Sequence, residues 1–380
     1  MSSLSPTSQS SPDDRPHRPA PGPVPPRMRA VLVNAQDSAS LHIAEVDTPI
    51  PGANDVLVRV KAAGVNRLDL LQRKGRYPVP EGDSTILGVE VSGTVAQISP
   101  EAQKISGLSL GDRVCGLCNG GGYSEYAIIP AELAMPIPDT LTFHEAAAIP
   151  EAFLTAYSAL FWSAGVTEKS KSILIHAGAS GVGLAAVQIA SIDKPEDRQI
   201  IVTAGTEEKI AVCQALGATH GVNYKSGPFA DVVYGISNHR GVDAVIDFVG
   251  GPYFQQNVDC AALDGKIVLL GMLGGPELDT GLGFNLGLLL RKRLTVVGST
   301  LRNRDLAYKA KLTKEFFEYA APLFDSDRLQ ATVYKVFTMD QAEEAHAVVQ
   351  ANENIGKVIL AWQLKTGLTP ASSISTLNAL

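Results

Sequence analysis

The chain has 380 residues, a formal net charge of −7 and an isoelectric point near 5.6, with 45% hydrophobic and 19% charged residues. That length is generous for one hydrophobic core and comfortable for two, and the composition is that of an ordinary globular protein. The acidic balance offers no basic excess to displace counterions from nucleic acid, and no apolar run of about 18 residues exists to span a membrane, so neither partner is expected.

In chain order, residues 1–27 read as a Ser/Pro-rich tail. Six prolines between Pro16 and Pro26 leave too little apolar material for a core. Arg15, Arg18 and Arg27 have the flavour of a transit peptide, but Asp13, Asp14 and the prolines oppose an amphipathic targeting helix, and a plain extension is expected. From Met28 the pattern turns to short strands, Met28–Val33, Leu57–Ala62, Val89–Ile98 and Ser124–Ile129. Gly111-Asp112 and Gly120-Gly121-Gly122 supply turns, and the whole predicts an irregular all-β unit.

The segment Ser172–Ala186, S-I-L-I-H-A-G-A-S-G-V-G-L-A-A, is the organising motif. Ser172–His176 reads as a strand buried on both faces, Gly178, Gly181 and Gly183 crowd a turn, and Leu184 onward is helical material. Strand, glycine turn and helix together aim backbone N–H groups at a pyrophosphate. His176 is expected to pack at the end of that strand. Further strands are predicted at Ile200–Ala204, His220–Tyr224, Val242–Phe248, Gly265–Gly271 and Leu294–Leu301, with a helix over Glu207–Leu216. Six strands alternating with helices predict a doubly wound parallel sheet with nucleotide across its carboxyl ends. The cluster Arg291-Lys292-Arg293 is expected as a solvated face at a helix end, and His220, His239 and His346, facing no identifiable partner, are expected as satisfied or exposed residues rather than catalytic ones.

After Leu301 the chain returns to helix (Ala307–Ala320), strand (Thr332–Val336), helix (Asp340–Ala351) and strand (Lys357–Trp362). The simplest arrangement folds this piece back onto the β unit. Residues 364–380 read as a second polar tail.

Five stretches occur in a specific order: N-R-L-D-L-L-Q-R-K-G-R-Y-P from Asn66, I-L-G-V-E-V-S-G from Ile86, A-A-A-I-P-E-A-F-L-T-A-Y from Ala146, H-A-G-A-S-G-V-G from His176, and N-I-G-K-V-I-L from Asn354. Together the chain from Met28 to Trp362 resembles the zinc-free quinone oxidoreductases of the medium-chain dehydrogenase/reductase superfamily. The resemblance implies an α/β protein. A GroES-like substrate domain would span 28–155, completed by 303–363, and a Rossmann domain 156–302, with a cleft between them. It also implies a homodimer or homotetramer.

Alcohol dehydrogenases of that superfamily carry Cys and His where this chain has Asn66 and Val89, and neither replacement can ligate zinc. Cys115 and Cys118 stand without a second pair and are expected as reduced packing residues, like Cys213 and Cys260. Four scattered cysteines and no signal peptide predict a reducing, cytoplasmic setting. No metal is expected, and alcohol oxidation loses the ion that would acidify its substrate.

A nicotinamide beside a metal-free cleft suits hydride transfer to an already electrophilic, conjugated small molecule, a quinone or an enone. Catalytic candidates, implied by the resemblance, are Asn66, Tyr77 and Thr155, with Lys357 beside them. The cofactor candidates are Ser180, Gly181, Val182, Gly183, Gly205, Thr206, Lys209, Tyr224, Gly271, Leu273, Asn354 and Lys357. The second Rossmann strand runs into Gly205-Thr206 rather than an acidic residue, so the ribose 2′-phosphate of NADPH has room; Thr206, Lys209 and Tyr224 are its expected donors, and Glu207 and Glu208 its possible opponents. Two further functions stay open: an enoyl-thioester reductase of fatty-acid or polyketide synthesis, and a non-catalytic NADPH-bound structural or RNA-associating protein.

Overall fold

The computed structural model describes residues 22–34, 39–278 and 283–363; the tail readings for 1–21 and 364–380 lie outside them. Strand β1 (Arg27–Asn34) pairs antiparallel with β2 (Ser40–Asp47) as a hairpin. Next come β3 (Asp55–Val65), the short helix α1 (Arg67–Arg73), β4 (Glu90–Ile98) and α2 (Pro100–Ser106). They are followed by β5 (Arg113–Leu117), β6 (Tyr126–Pro130) and β7 (Ala134–Pro136). Helix α3 (Phe143–Ala146) and helix α4 (Pro150–Tyr157) lead out of this unit. The end of α4 widens into a π-helical turn, Ser158–Ser163, which sequence reading left unassigned.

The parallel sheet then forms from β8 (Ser172–Ile175), β9 (Gln199–Ala204), β10 (His220–Asn223), β11 (Val242–Asp247), β12 (Ala261–Leu269) and β13 (Thr295–Gly298). Its helices are α5 (Gly181–Ser191), α6 (Glu207–Ala215), α7 (Ala230–Ile236), α8 (Gly251–Cys260) and α9 (Leu286–Lys292). The strand order is β10-β9-β8-β11-β12-β13, all parallel. That is the 3-2-1-4-5-6 order of a Rossmann sheet, with its switch point between β8 and β11. Every residue of β8 is buried, which is why it reads as a continuous apolar run rather than an alternating one.

The chain closes with α10 (Leu306–Asp325), β14 (Val333–Thr338), α11 (Ala342–Gln350) and β15 (Lys357–Ala361). Strand β15 pairs antiparallel with β3 and parallel with β14, completing a sheet ordered β14-β15-β3-β4-β5-β7, with β6 also on β3. Phe153 on α4 meets Phe316 and Phe324 of α10 at ring-centroid distances of 6.2 and 5.3 Å, so an aromatic contact fixes these two helices together.

One reading needs correction. Lys292 is not a solvated charge: its ammonium donates to the carbonyls of Val258, Asp259 and Ala261 at 2.9, 2.7 and 2.9 Å, closing the C-terminus of α8, while Arg293 pairs with Asp264. His346 and His220 are hydrogen-bonded, and His239 is exposed. His346 meets the Tyr123 hydroxyl at 3.1 Å and His220 meets Thr219 at 2.9 Å. His176 lies between Thr203 and Asn257 at 2.8 and 2.7 Å, and burial keeps it below the usual histidine range. All four cysteines are buried and free, and desolvation pushes the Cys115 and Cys213 thiols up to about 12.

Candidate functional site

The glycine turn is tight against itself. Ser180 caps α5, its Oγ accepting the Gly183 N–H at 3.0 Å, and Val182 follows on the half-buried first turn. A Cβ at Gly183 would stand 2.6 Å from the Gly178 carbonyl oxygen, so the glycine is required by the turn's own backbone. Gly181 has a different neighbour: a Cβ there would lie 2.5 Å from Cδ of Lys357. The lysine stem therefore passes directly over the nucleotide turn. A parallel bridge between Ser180 and Gly356 and the bond from Gly356 N–H to Ala179 O at 2.8 Å hold the two segments in register, and Asn354 donates to the Gly356 carbonyl at 2.7 Å.

That stem carries the Lys357 ammonium into a buried cluster. It donates to Glu90 Oε1 and Asn66 Oδ1, both at 2.7 Å, and to the Val65 carbonyl at 3.0 Å. Asn66 Nδ2 returns a bond to Glu90 Oε1 at 2.8 Å, and Glu90 Oε2 accepts the Glu151 N–H at 2.8 Å. Glu90 is 0% exposed, so a carboxylate and an ammonium are both desolvated but have every strong bond satisfied. Behind them Asp69 accepts from Asn66 N–H at 2.8 Å and from Tyr123 O–H at 3.1 Å; burial raises it to about 6. This cluster does not fit a zinc ion. Asn66 and Val89 offer no thiolate or imidazole, and the position between Glu90 and Asn66 already holds a cation supplied by the chain. Among the described residues no three His, Cys, Asp or Glu side chains gather into a metal-binding group.

Tyr77 and Thr155 are half-buried. The Tyr77 ring lies 5.5 Å from the Arg302 guanidinium, and burial raises its phenol above the usual tyrosine range. Glu151 shares the α4 face of Thr155 one turn away, at spacing i, i+4. Burial first, then the neighbouring Glu90 charge, raises its carboxyl to about 7. Glu151 lies inside the A-A-A-I-P-E-A-F-L-T-A-Y motif, where nothing local marks it, because its raised carboxyl depends on Glu90 folding beside it.

At the far end, Gly205 is shaped by its neighbours: a Cβ would stand 2.7 Å from the Tyr224 hydroxyl and 3.2 Å from Lys225 Cε. Thr206 caps α6, accepting the Lys209 N–H at 3.3 Å. The Lys209 ammonium donates to the Asn352 carbonyl, and burial and Lys225 lower its pKa. Glu207 is held by Asn223 at 3.0 Å. The residues converging on Gly205 are thus Tyr224 and Lys225, the latter not singled out from sequence although it directly follows Tyr224. Gly205 itself contributes no side chain, and a phenol and a lysine stem border it, a donor set whose chemistry suits an anion such as a ribose 2′-phosphate. Across the switch point Gly271 is half-buried and Leu273 exposed, its N–H bonded to the Phe248 carbonyl at 2.9 Å.

Comparisons with known proteins agree with this two-part layout. Residues 52–139 match an alcohol dehydrogenase GroES-like domain and residues 181–318 a zinc-binding dehydrogenase domain. A quinone oxidoreductase-like protein 2 from Bos taurus is 30% identical over 337 residues, covering 88% of this chain and 92% of that one. The structure of Escherichia coli quinone oxidoreductase complexed with NADPH is 26% identical with a TM-score of 0.76, covering 88% of this chain and 99% of that one. CurK enoyl reductase is 26% identical with a TM-score of 0.73, covering 89% and 99%.

Proposed function

The chain belongs to the medium-chain dehydrogenase/reductase superfamily, among quinone oxidoreductase-like relatives, and on that premise we propose that it is an NADPH-dependent, metal-free reductase of quinones or α,β-unsaturated carbonyl compounds. Residues 28–155 with 303–363 form its substrate side and 156–302 its nucleotide side. The observation that carries this reading is Lys357, whose stem crosses the nucleotide turn at Gly181 while its ammonium ties Asn66 to Glu90. One side chain thus couples cofactor seat and polar cluster. Bound NADPH supplies a hydride. Ser180, Gly181, Val182 and Gly183 would offer the α5 N-terminus to its pyrophosphate, and Gly205, Thr206, Tyr224 and Lys225 would hold the 2′-phosphate. Gly271, Leu273 and Asn354 would hold the nicotinamide half. Asn66, Tyr77 and Thr155 surround the acceptor, whose developing oxyanion is stabilised by the phenol of Tyr77 beside Arg302. Glu151, poised near neutrality, supplies the proton that completes hydride plus proton transfer.

The likeness to CurK enoyl reductase supports a second reading, enoyl-thioester reduction, which is hydride delivery to the same kind of conjugated carbonyl. NADPH oxidation measured against naphthoquinones, enones and crotonyl-CoA separates the two. Faster quinone or enone turnover is expected; faster thioester turnover moves the function to the second reading, and cofactor binding without any turnover leaves a structural role. The partner is a second copy of this chain, joined at β13, an edge strand whose neighbouring Leu286 and Leu290 are 66% and 81% exposed. Buried free thiols support work in the reducing cytoplasm.

A further inference from the structure

Arg302 is 7% exposed and lies shortly after β13. Its Nη1 donates to Gln72 Oε1 at 2.6 Å, and its charge lies over the Tyr77 ring. Nε and Nη2 have no hydrogen-bond acceptor, although both are buried. Asp83 comes only to 3.8 Å from Nε, an ion-pair distance too long for a hydrogen bond. These two unpaired N–H groups form one edge of the guanidinium, the edge that grips a carboxylate with two parallel bonds. Arg302 is among the side chains lining a cavity of about 210 Å³, with Asp83, Asn119, Arg304, Leu306 and Lys309. Three cations against one carboxylate leave it net positive, and leaving a buried guanidinium edge without acceptors costs desolvation free energy that an anion would recover.

We propose that this cavity is a carboxylate-binding subsite beside Tyr77, so that the preferred acceptor is a quinone or enone bearing a carboxylate. The proposal rests on the reductase reading for its acceptor, but the anion subsite can be tested without turnover. Lys309, held below the usual lysine range by burial despite Asp83 and Glu151, gains from such a guest, as does Arg304 at the cavity wall. Asp83 is the competing occupant: burial raises its carboxyl above the usual range, and an incoming carboxylate must displace its partial hold on Nε.

The test uses the full chain with two probe pairs. For turnover, 2-(2-carboxyethyl)-1,4-naphthoquinone is compared with its methyl ester; for binding, 3-(2-naphthyl)propanoate is compared with its amide by calorimetry in the presence of NADP⁺. The acid should exceed the ester in kcat/KM, and the amide in affinity, by about tenfold or more, the effect of a paired charge-assisted contact. Arg302→Met should bring both ratios to near one. Asp83→Asn, which spares the guanidinium, should tighten the acid several-fold. Equal acid and ester turnover together with equal acid and amide binding overturns the subsite, as does acid affinity unchanged or weakened in Asp83→Asn. Acid binding lost in Arg302→Met, with no quinone or enone reduced by the wild type, keeps the subsite and refutes the reductase reading instead.

Discussion

Lys357 is the residue on which the site turns. Replacing it with methionine keeps the stem over Gly181 but strands the fully buried Glu90 carboxylate. Such a loss costs about 3–5 kcal/mol. Lys357→Met should therefore lower the Tm by roughly 10 °C, and adding Glu90→Gln should recover most of it, since the unpaired charge is then gone. A Tm unchanged in the single variant would mean that the pair is not formed. At the other end of the cofactor groove, Tyr224→Phe and Lys225→Met should each reduce kcat/KM for NADPH, by about 10- to 100-fold where a charge-assisted bond to the phosphate is lost, and leave NADH alone. Equal losses with both cofactors would place these residues elsewhere. The contrast between the two lysines is instructive. Lys225 was passed over in the sequence, and Lys209 drew attention through its helix position; only the folded chain shows Lys209 turned to the Asn352 carbonyl. Side-chain direction at a helix start is a tertiary property, and no local pattern encodes it.

At the scale of elements, helices α1 and α4 bring two carboxyls into the site with raised pKa values, Asp69 to about 6 and Glu151 to about 7. The folded state then holds more protons than the unfolded chain between the ordinary carboxylate range and these values. Their contribution is harmless at low pH and destabilising as pH rises through the window. Glu151→Gln should therefore raise the Tm relative to wild type at about pH 8 and have little effect at about pH 4.5; with Glu151 as the proton donor, the same variant should also abolish the fall of kcat as pH rises through about 7. A Tm difference independent of pH would remove Glu151 from the titrating site. The elements themselves were legible where periodicity was strong. Strand β8, α5 and β9 could be read from apolar runs and glycine spacing, and α10 from its amphipathic repeat, although it runs on to Asp325 past Pro322. What stayed hidden was contact between distant elements. The pairing of β15 with β3 brings Lys357 to Asn66, and such a juxtaposition of residues 291 apart has no local trace. Glu90 gathers bonds from Asn66, Glu151 and Lys357, three segments distant in sequence. Lys292 was misread for the same reason, since its acceptors lie on α8 and the start of β12.

For the whole molecule, the central claim is a division of labour between two sheets. On the proposed reading NADPH lies across the switch point of the Rossmann sheet, and the completed β domain offers a polar cluster in which Lys357 provides the positive charge. The fold class and the family resemblance could be read from five ordered motifs, while the acceptor's identity could not, because the groups that would grip it come from segments brought together only by folding. The measurement that tests the account most directly is steady-state reduction of 1,4-naphthoquinone by the chelator-treated protein, with zinc determined on the same sample. The expected result is one NADPH consumed per quinone reduced, kcat/KM for NADPH at least about tenfold above that for NADH, and no stoichiometric zinc. Activity abolished by the chelator and restored by zinc, or no NADPH oxidation with any quinone or enone, would contradict it.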